Sequence, residues 1–167
     1  MHNTLTVDDY SQNDLNENEL WSIKRDAVPS ELQWKSNEKY DIFEGSHTGY
    51  ERLQKPVKHI RKFELNKENN ILKIKDIVVG EGKYLIKCHF HFDENVEVEI
   101  IDKDVYCNKK SENLIINFDI NLDFSLELKQ EFISKSYNSK MLAPYLIVSF
   151  KINKAIELTT IIKNSKK

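Results

Sequence analysis

Residues 114–128 place an apolar side chain at every second position without a break: Leu114, Ile116, Phe118, Ile120, Leu122, Phe124, Leu126 and Leu128. A period of two belongs to a strand with one buried face, not to a helix. The pattern recurs in residues 84–92, where Tyr84, Ile86, Cys88, Phe90 and Phe92 share one face and Lys87, His89 and His91 the other. A single strand over 114–128 would span ~50 Å at ~3.4 Å per residue, well beyond ordinary strand length. Either it bends across a large sheet, or an unmarked turn near residues 121–123 divides it.

The rest of the chain repeats the pattern in shorter pieces. Leu5 and Val7 open a first strand, Leu32 and Trp34 a second, and Tyr40, Ile42 and Phe43 a third. Residues 58–65 and 71–79 alternate, the latter closed by Gly80-Glu81-Gly82, where glycine permits a tight turn. Residues 96–100 form another strand, and 145–152 with 156–162 read as a last hairpin around Asn153-Lys154. Residues 8–31 are rich in Asp, Asn and Glu and read as a long loop, with room for one helical turn and with Trp21 and Ile23 as isolated anchors. About ten short strands, each with one buried face, predict an all-β fold of two packed antiparallel sheets. A chain of 167 residues suits one such domain, residues 1–163, with 164–167 a basic, frayed tail.

Composition excludes several classes. A net charge of −2 gives no general attraction to nucleic acid or to a membrane surface. No apolar run approaches the ~18 residues of a membrane span, and His2-Asn3-Thr4 opens directly into a strand pattern rather than a signal peptide. Two cysteines, Cys88 in a strand and Cys107 in a turn, make no disulfide framework, and both are expected free. Nucleophile elbow, P-loop, dinucleotide fingerprint and H-E-x-x-H are all missing.

Polar chemistry concentrates in residues 45–63, GSHTGYERLQKPVKHIRKF, which bring His47, Tyr50, Arg52, His59 and Arg61 together around Pro56. Arginine forks suit carboxylates, and a tyrosine ring suits a sugar face. The same residues also fit a loop feeding a strand, with the arginines paired to local acids such as Glu51 or Glu64. His89 and His91 stand two apart on one strand face, ~7 Å between Cα atoms, within reach of one metal ion but with no evident third ligand.

The segment HTGYERLQKPVKHIR resembles the HDGYxRLxxPVxHRR signature of heparinase II/III-like polysaccharide lyases, in their C-terminal β-rich region. His2-Asn3-Thr4 with Val7-Asp8 and Gln12 resembles the HNTvxvDgxxQ segment that precedes it. Asp76, Gly80 and Gly82 resemble a D-x-l-x-G-x-G turn, and His91-Phe92 the following HF pair. Ser136-Tyr137 through Pro144, then Leu158-Thr159, resemble a late SxxYG…P…lxT pattern. Departures are Thr48 for Asp, Ile60 for Arg and Asn138 for Gly.

The resemblance implies a β-sandwich that, in a longer parent, walls one side of a cleft for a uronate-containing polysaccharide. His47, Tyr50, Arg52 and Arg61 would face that acidic polysaccharide. His2 would lend one ligand to a zinc site whose other ligands lie upstream, so this chain alone is expected to hold no metal. The catalytic groups would come largely from an N-terminal helical domain and an H-x-H-A-D segment, which this sequence lacks. The chain alone is therefore expected to be catalytically incomplete. A bacterial catabolic lyase implies a periplasmic or secreted location, and a capsule-locus relative a cytoplasmic one. The residues also fit a stand-alone carbohydrate-binding sandwich or a structural fragment.

Overall fold

The computed structural model describes residues 2–15 and 22–165. It holds twelve strands and, among the described residues, no helix. In chain order they are β1 (Leu5–Val7), β2 (Pro29–Ser36), β3 (Tyr40–His47), β4 (Val57–Asn66), β5 (Ile71–Gly80) and β6 (Tyr84–His91). Then follow β7 (Glu97–Ile101), β8 (Asp104–Lys109), β9 (Glu112–Asp119), β10 (Phe124–Ile133), β11 (Met141–Ile152) and β12 (Ile156–Asn164). They form a four-stranded sheet, β1-β6-β11-β10, against an eight-stranded sheet, β2-β3-β4-β5-β12-β9-β8-β7, with every pairing antiparallel. This is the all-β sandwich that the alternation predicts.

The long alternating run is two strands. β9 ends in the large sheet and β10 begins in the small one, and Asn121–Asp123 carry the chain across. The alternation continues because both strands turn one face to the same core from opposite sides. Phe118 and Phe124 meet there with ring centroids 6.1 Å apart, and Phe90 of β6 meets Phe118 at 5.7 Å. The core joins Leu5, Val7, Ile86, Cys88, Leu146, Val148 and Phe150 of the small sheet to Val57, Val78, Val105, Ile116 and Leu158 of the large one.

Several expectations change. There are twelve strands rather than about ten. Residues 145–152 and 156–162 do not form a hairpin, since β11 pairs with β6 and β10 while β12 pairs with β5 and β9 in the opposite sheet. Cys107 lies in β8, not in a turn, because Val105 and Cys107 both point into the core; both thiols are free and buried. Ile23 is exposed rather than an anchor, although it bridges to Leu15; Trp21 lies outside the described residues. The described parts of 8–31 contain no helical turn. Asn164, expected in the tail, still pairs with Leu114 of β9.

Candidate functional site

The inner face of β3, β4 and β5 places four polar side chains in one row. His47 lies opposite His59, and Arg61 opposite Asp76, so the pleat points all four toward the small sheet. Asp76 is only 1% exposed. Arg61 grips it with two bonds, Nε to Oδ1 at 2.7 Å and Nη2 to Oδ2 at 3.0 Å, the fork-to-fork geometry that holds a carboxylate best. His59 Nε2 adds a third bond to Oδ1 at 2.7 Å. Burial works to raise the Asp76 carboxyl, but the His59 hydrogen bond and the Arg61 guanidinium outweigh it and hold the pKa below the usual carboxylate range. Burial likewise opposes the charge on Arg61, and Asp76 overrides it, so its pKa is raised.

The direction of the imidazole bonds in the row follows from one backbone group. Gly49 N–H donates to His47 Nδ1 at 3.1 Å, so that nitrogen is an acceptor. A neutral His47 then carries its proton on Nε2 and donates to His59 Nδ1 at 3.2 Å. His59 must keep its proton on Nε2, directed at Asp76. The result is a relay from Gly49 through two imidazoles to the buried carboxylate. Burial first, then repulsion from His59 and Arg61, push the His47 pKa down to about 4. Gly49 is required by close approach, since a Cβ there would lie 2.4 Å from the Gln12 carbonyl and 2.9 Å from His47 Nδ1.

The remaining residues of this stretch fasten the chain to itself. Tyr50 is fully buried, its hydroxyl donating to the Leu5 carbonyl and its ring centroid 5.4 Å from that of His47. Burial raises its phenol pKa. Arg61 Nη1 donates to the Asn3 carbonyl. Arg52 donates to the Ser11 carbonyl at 2.7 Å, the Gln12 carbonyl at 3.3 Å and the Gly49 carbonyl, and pairs with Asp14 at 2.6 Å. Thr48, one of the departures from the signature, accepts from Val28 N–H and donates to the Asp26 carbonyl at 2.7 Å. The structure thus brings His47, Tyr50, Arg52 and Arg61 together, with their polar atoms committed to partners inside the chain. Arg52 and Arg61 do pair with acids, but with Asp14 and Asp76 rather than with sequence neighbours.

In the sequence Asp76 stands within the alternating run 71–79 and, by the family resemblance, opens a D-x-l-x-G-x-G turn, and neither reading marks it as a buried partner. Its signal is its place in the alternation Leu72, Ile74, Asp76, Val78, a lone carboxylate at an inward position of β5.

A second polar cluster stands on the outer face of the small sheet. Tyr145 lies opposite His91 and stacks between His91, at 4.4 Å, and His89, at 5.7 Å, with interplanar angles of 3° and 10°. His89 uses both ring nitrogens, Nε2 with the Thr6 hydroxyl at 3.0 Å and Nδ1 with the Tyr145 hydroxyl. A metal at His89 and His91 would have to break these contacts. Burial, then His91, push the His89 pKa down to about 4. Tyr145 carried no sequence signal, because strand pairing alone brings it to the histidines.

His2 is exposed, and among the described residues no three His, Cys, Asp or Glu side chains are placed to hold a metal ion. One imidazole does not satisfy a zinc ion, which takes three or four protein groups. A site using His2 requires ligands from beyond these residues.

The family model described as heparinase II/III-like, C-terminal, matches residues 1–158. No curated protein sequence matches the chain. Among solved structures, the heparan sulfate lyase HepC from Pedobacter heparinus superposes with a TM-score of 0.73 at 17% identity, over 99% of this chain and 24% of that one. A heparinase III with methylated lysines gives 0.74 at 17% identity over the same shares, and a further heparinase III gives 0.73 at 14% identity over 98% and 23%. The chain therefore spans about a quarter of the length of these structures. With the model matching nearly the whole chain and the sandwich shared throughout, this chain belongs to the heparinase II/III-like C-terminal family.

Proposed function

We propose that the chain is the β-sandwich region of a polysaccharide lyase that cleaves a uronate-containing polysaccharide by elimination, and that it is catalytically incomplete alone. One observation carries the second half of this reading. The acid–base groups of the signature stretch are tied up internally: His47 and His59 in the relay to Asp76, and Tyr50 on the Leu5 carbonyl. Elimination needs a group to neutralise the substrate carboxylate, a base for the C5 proton and an acid for the leaving oxygen. A complete set is not free in this stretch, and a helical domain in the same polypeptide or assembly is the natural source of the rest. The sandwich would contribute a rigid wall beside the cleft and, through His2, one zinc ligand. Acidic polysaccharide as the substrate class is supported by the structural similarity to a heparan sulfate lyase.

The test is direct. Purified chain incubated with heparan sulfate, hyaluronan or alginate should give no rise in the ultraviolet absorbance of unsaturated uronate ends. A rise that disappears on changing Tyr50 or His47 would place a working active site in this chain and overturn the reading.

A further inference from the structure

The two sheets have four outermost strands, β1 and β10 in the small sheet and β2 and β7 in the large one, and three of these edges are blunted. β1 is three residues long; Tyr10 takes the Val7 N–H and carbonyl, and Tyr50 takes the Leu5 carbonyl. β2, whose Trp34 is 64% exposed, slips its pairing with β3 between Ser30 and Gln33, and Glu31 sits at a φ of 53°. β7 has only five residues. β10 has ten, with no proline or glycine, and keeps an unbroken register with β11 from Phe124 to Ile133. Proteins shorten, bend or cover their sheet edges, and a long regular edge is a template for another strand.

The hydrogen-bond pattern fixes which groups of β10 are open. Phe92 N–H donates to the Pro144 carbonyl, so the even residues of β11 face β6 and the odd ones face β10. Their partners in β10 are odd as well, Lys129 opposite Tyr145 and Glu127 opposite Ile147. Phe124, Leu126, Leu128, Gln130 and Phe132 therefore turn N–H and C=O away from the sheet, and no backbone group among the described residues meets them. The side chains of these five share the inner face. Phe124 and Leu126 pack against the core, but Leu128 is 36% exposed, Phe132 47% and Leu142, opposite Phe132, 53%. The outer face carries Ser125, Glu127, Lys129 and Glu131. Within one chain Glu127 and Lys129 pair at 3.0 Å.

We propose that β10 is a self-association edge, on which β10 of a second copy pairs antiparallel about a two-fold axis at Leu128 and joins the two small sheets into one. Charge complementarity selects both the occupant and the register. Centred on Leu128, Glu127 lies opposite the partner's Lys129 and Lys129 opposite the partner's Glu127, while Glu131 meets Ser125. Opposite charges directly across a strand pair attract, and like charges there repel. On the inner face Phe132 meets the partner's Phe124, and Leu128 meets its own copy, covering apolar surface that a single chain leaves open. Centring on Glu127 would set that carboxylate against itself. Centring on Lys129 would set Lys129 against itself and Glu127 against Glu131. Centring on Leu126 or Gln130 would leave one end of the strand without a partner. The interface goes beyond the lyase reading and does not depend on it.

The experiment is light scattering of the whole chain during size-exclusion chromatography, loaded from micromolar to millimolar concentration, with circular dichroism to check that each variant folds. The Glu127 side chain is 58% exposed and that of Lys129 49%, so changing them should leave the fold intact. The wild type should approach twice the monomer mass as concentration rises. Lys129→Glu sets glutamates opposite one another and should weaken the dimer about tenfold or more. Adding Glu127→Lys to it restores opposite charges across the axis and should restore the dimer. Leu128→Cys should cross-link to its own copy on mild oxidation, because the ~5.5 Å between Cα atoms of a hydrogen-bonded pair suits a disulfide. The two native thiols are buried and do not compete. The proposal fails on a monomer at every concentration, on a dimer indifferent to Lys129→Glu, on a loss that the charge swap does not restore, or on a Leu128→Cys chain that stays unlinked.

Discussion

Replacing Asp76 by Asn tests the relay most severely. The amide keeps the carboxylate's shape but removes the charge that Arg61 and His59 face from three sides. Arg61 would then hold a largely buried cation against a neutral partner, with one N–H meeting the amide's own donor. Breaking a buried ion pair by removing one member costs about 3–5 kcal/mol. Arg61 retains some exposure, with 17% of its side chain accessible, so the lower end applies, about 3 kcal/mol. Urea unfolding followed by far-ultraviolet circular dichroism gives the number. Arg61→Met in the Asp76→Asn background should recover part of the loss, since the cation left without a counter-charge is gone. A cost below about 1 kcal/mol for Asp76→Asn, or no coupling in the double-mutant cycle, would refute the claim that this cluster is an integrated, charge-balanced unit.

Further outcomes are expected. Phe90→Ala should cost about 3–5 kcal/mol by lost burial and a cavity against Phe118, whereas His89→Ala on the opposite face should cost about 1 kcal/mol; equal costs would contradict the face assignment. Stability should fall as pH drops from about 6.5 toward 4. His47 and His89 bind protons less readily folded, at about 4, than unfolded near 6.5, so the unfolded chain takes up more protons across that window. Asp76, whose folded pKa is lowered, adds a further loss only below the ordinary carboxylate range. Thermal melts showing flat stability between pH 6.5 and 4 would deny that the two imidazoles are held neutral.

The strands were legible because alternation reports one buried face, and the sandwich follows from many such faces. Alternation does not report which sheet a strand joins. Phe118 and Phe124 continue one pattern although the chain crosses between sheets at Asn121–Asp123, since both rings enter the same core. For the same reason β11 and β12 look like a hairpin while pairing in different sheets. β8 was missed because its inward residues, Val105 and Cys107, are set among Asp104, Asn108 and Lys109, which read as turn. At the site, the grouping of His47, Tyr50, Arg52 and Arg61 was legible from their closeness in sequence. Their occupation was not, because the partners Leu5, Gln12, Asp14 and Asp76 lie 15 to 45 residues away and reach them only through the fold. Trp34 was legible as a strand residue, but its exposure depends on how far the small sheet reaches.

The signature stretch works as an internal relay ending on a buried carboxylate. Nitrogen-15 NMR of the imidazoles, followed through a pH titration, tests it most directly. His47 and His59 should both carry the proton on Nε2, His47 should show coupling across the bond to His59, and His47 should stay neutral until pH approaches 4. His47 titrating near 6.5 as a solvent-facing imidazole, with no coupling to His59, would contradict it.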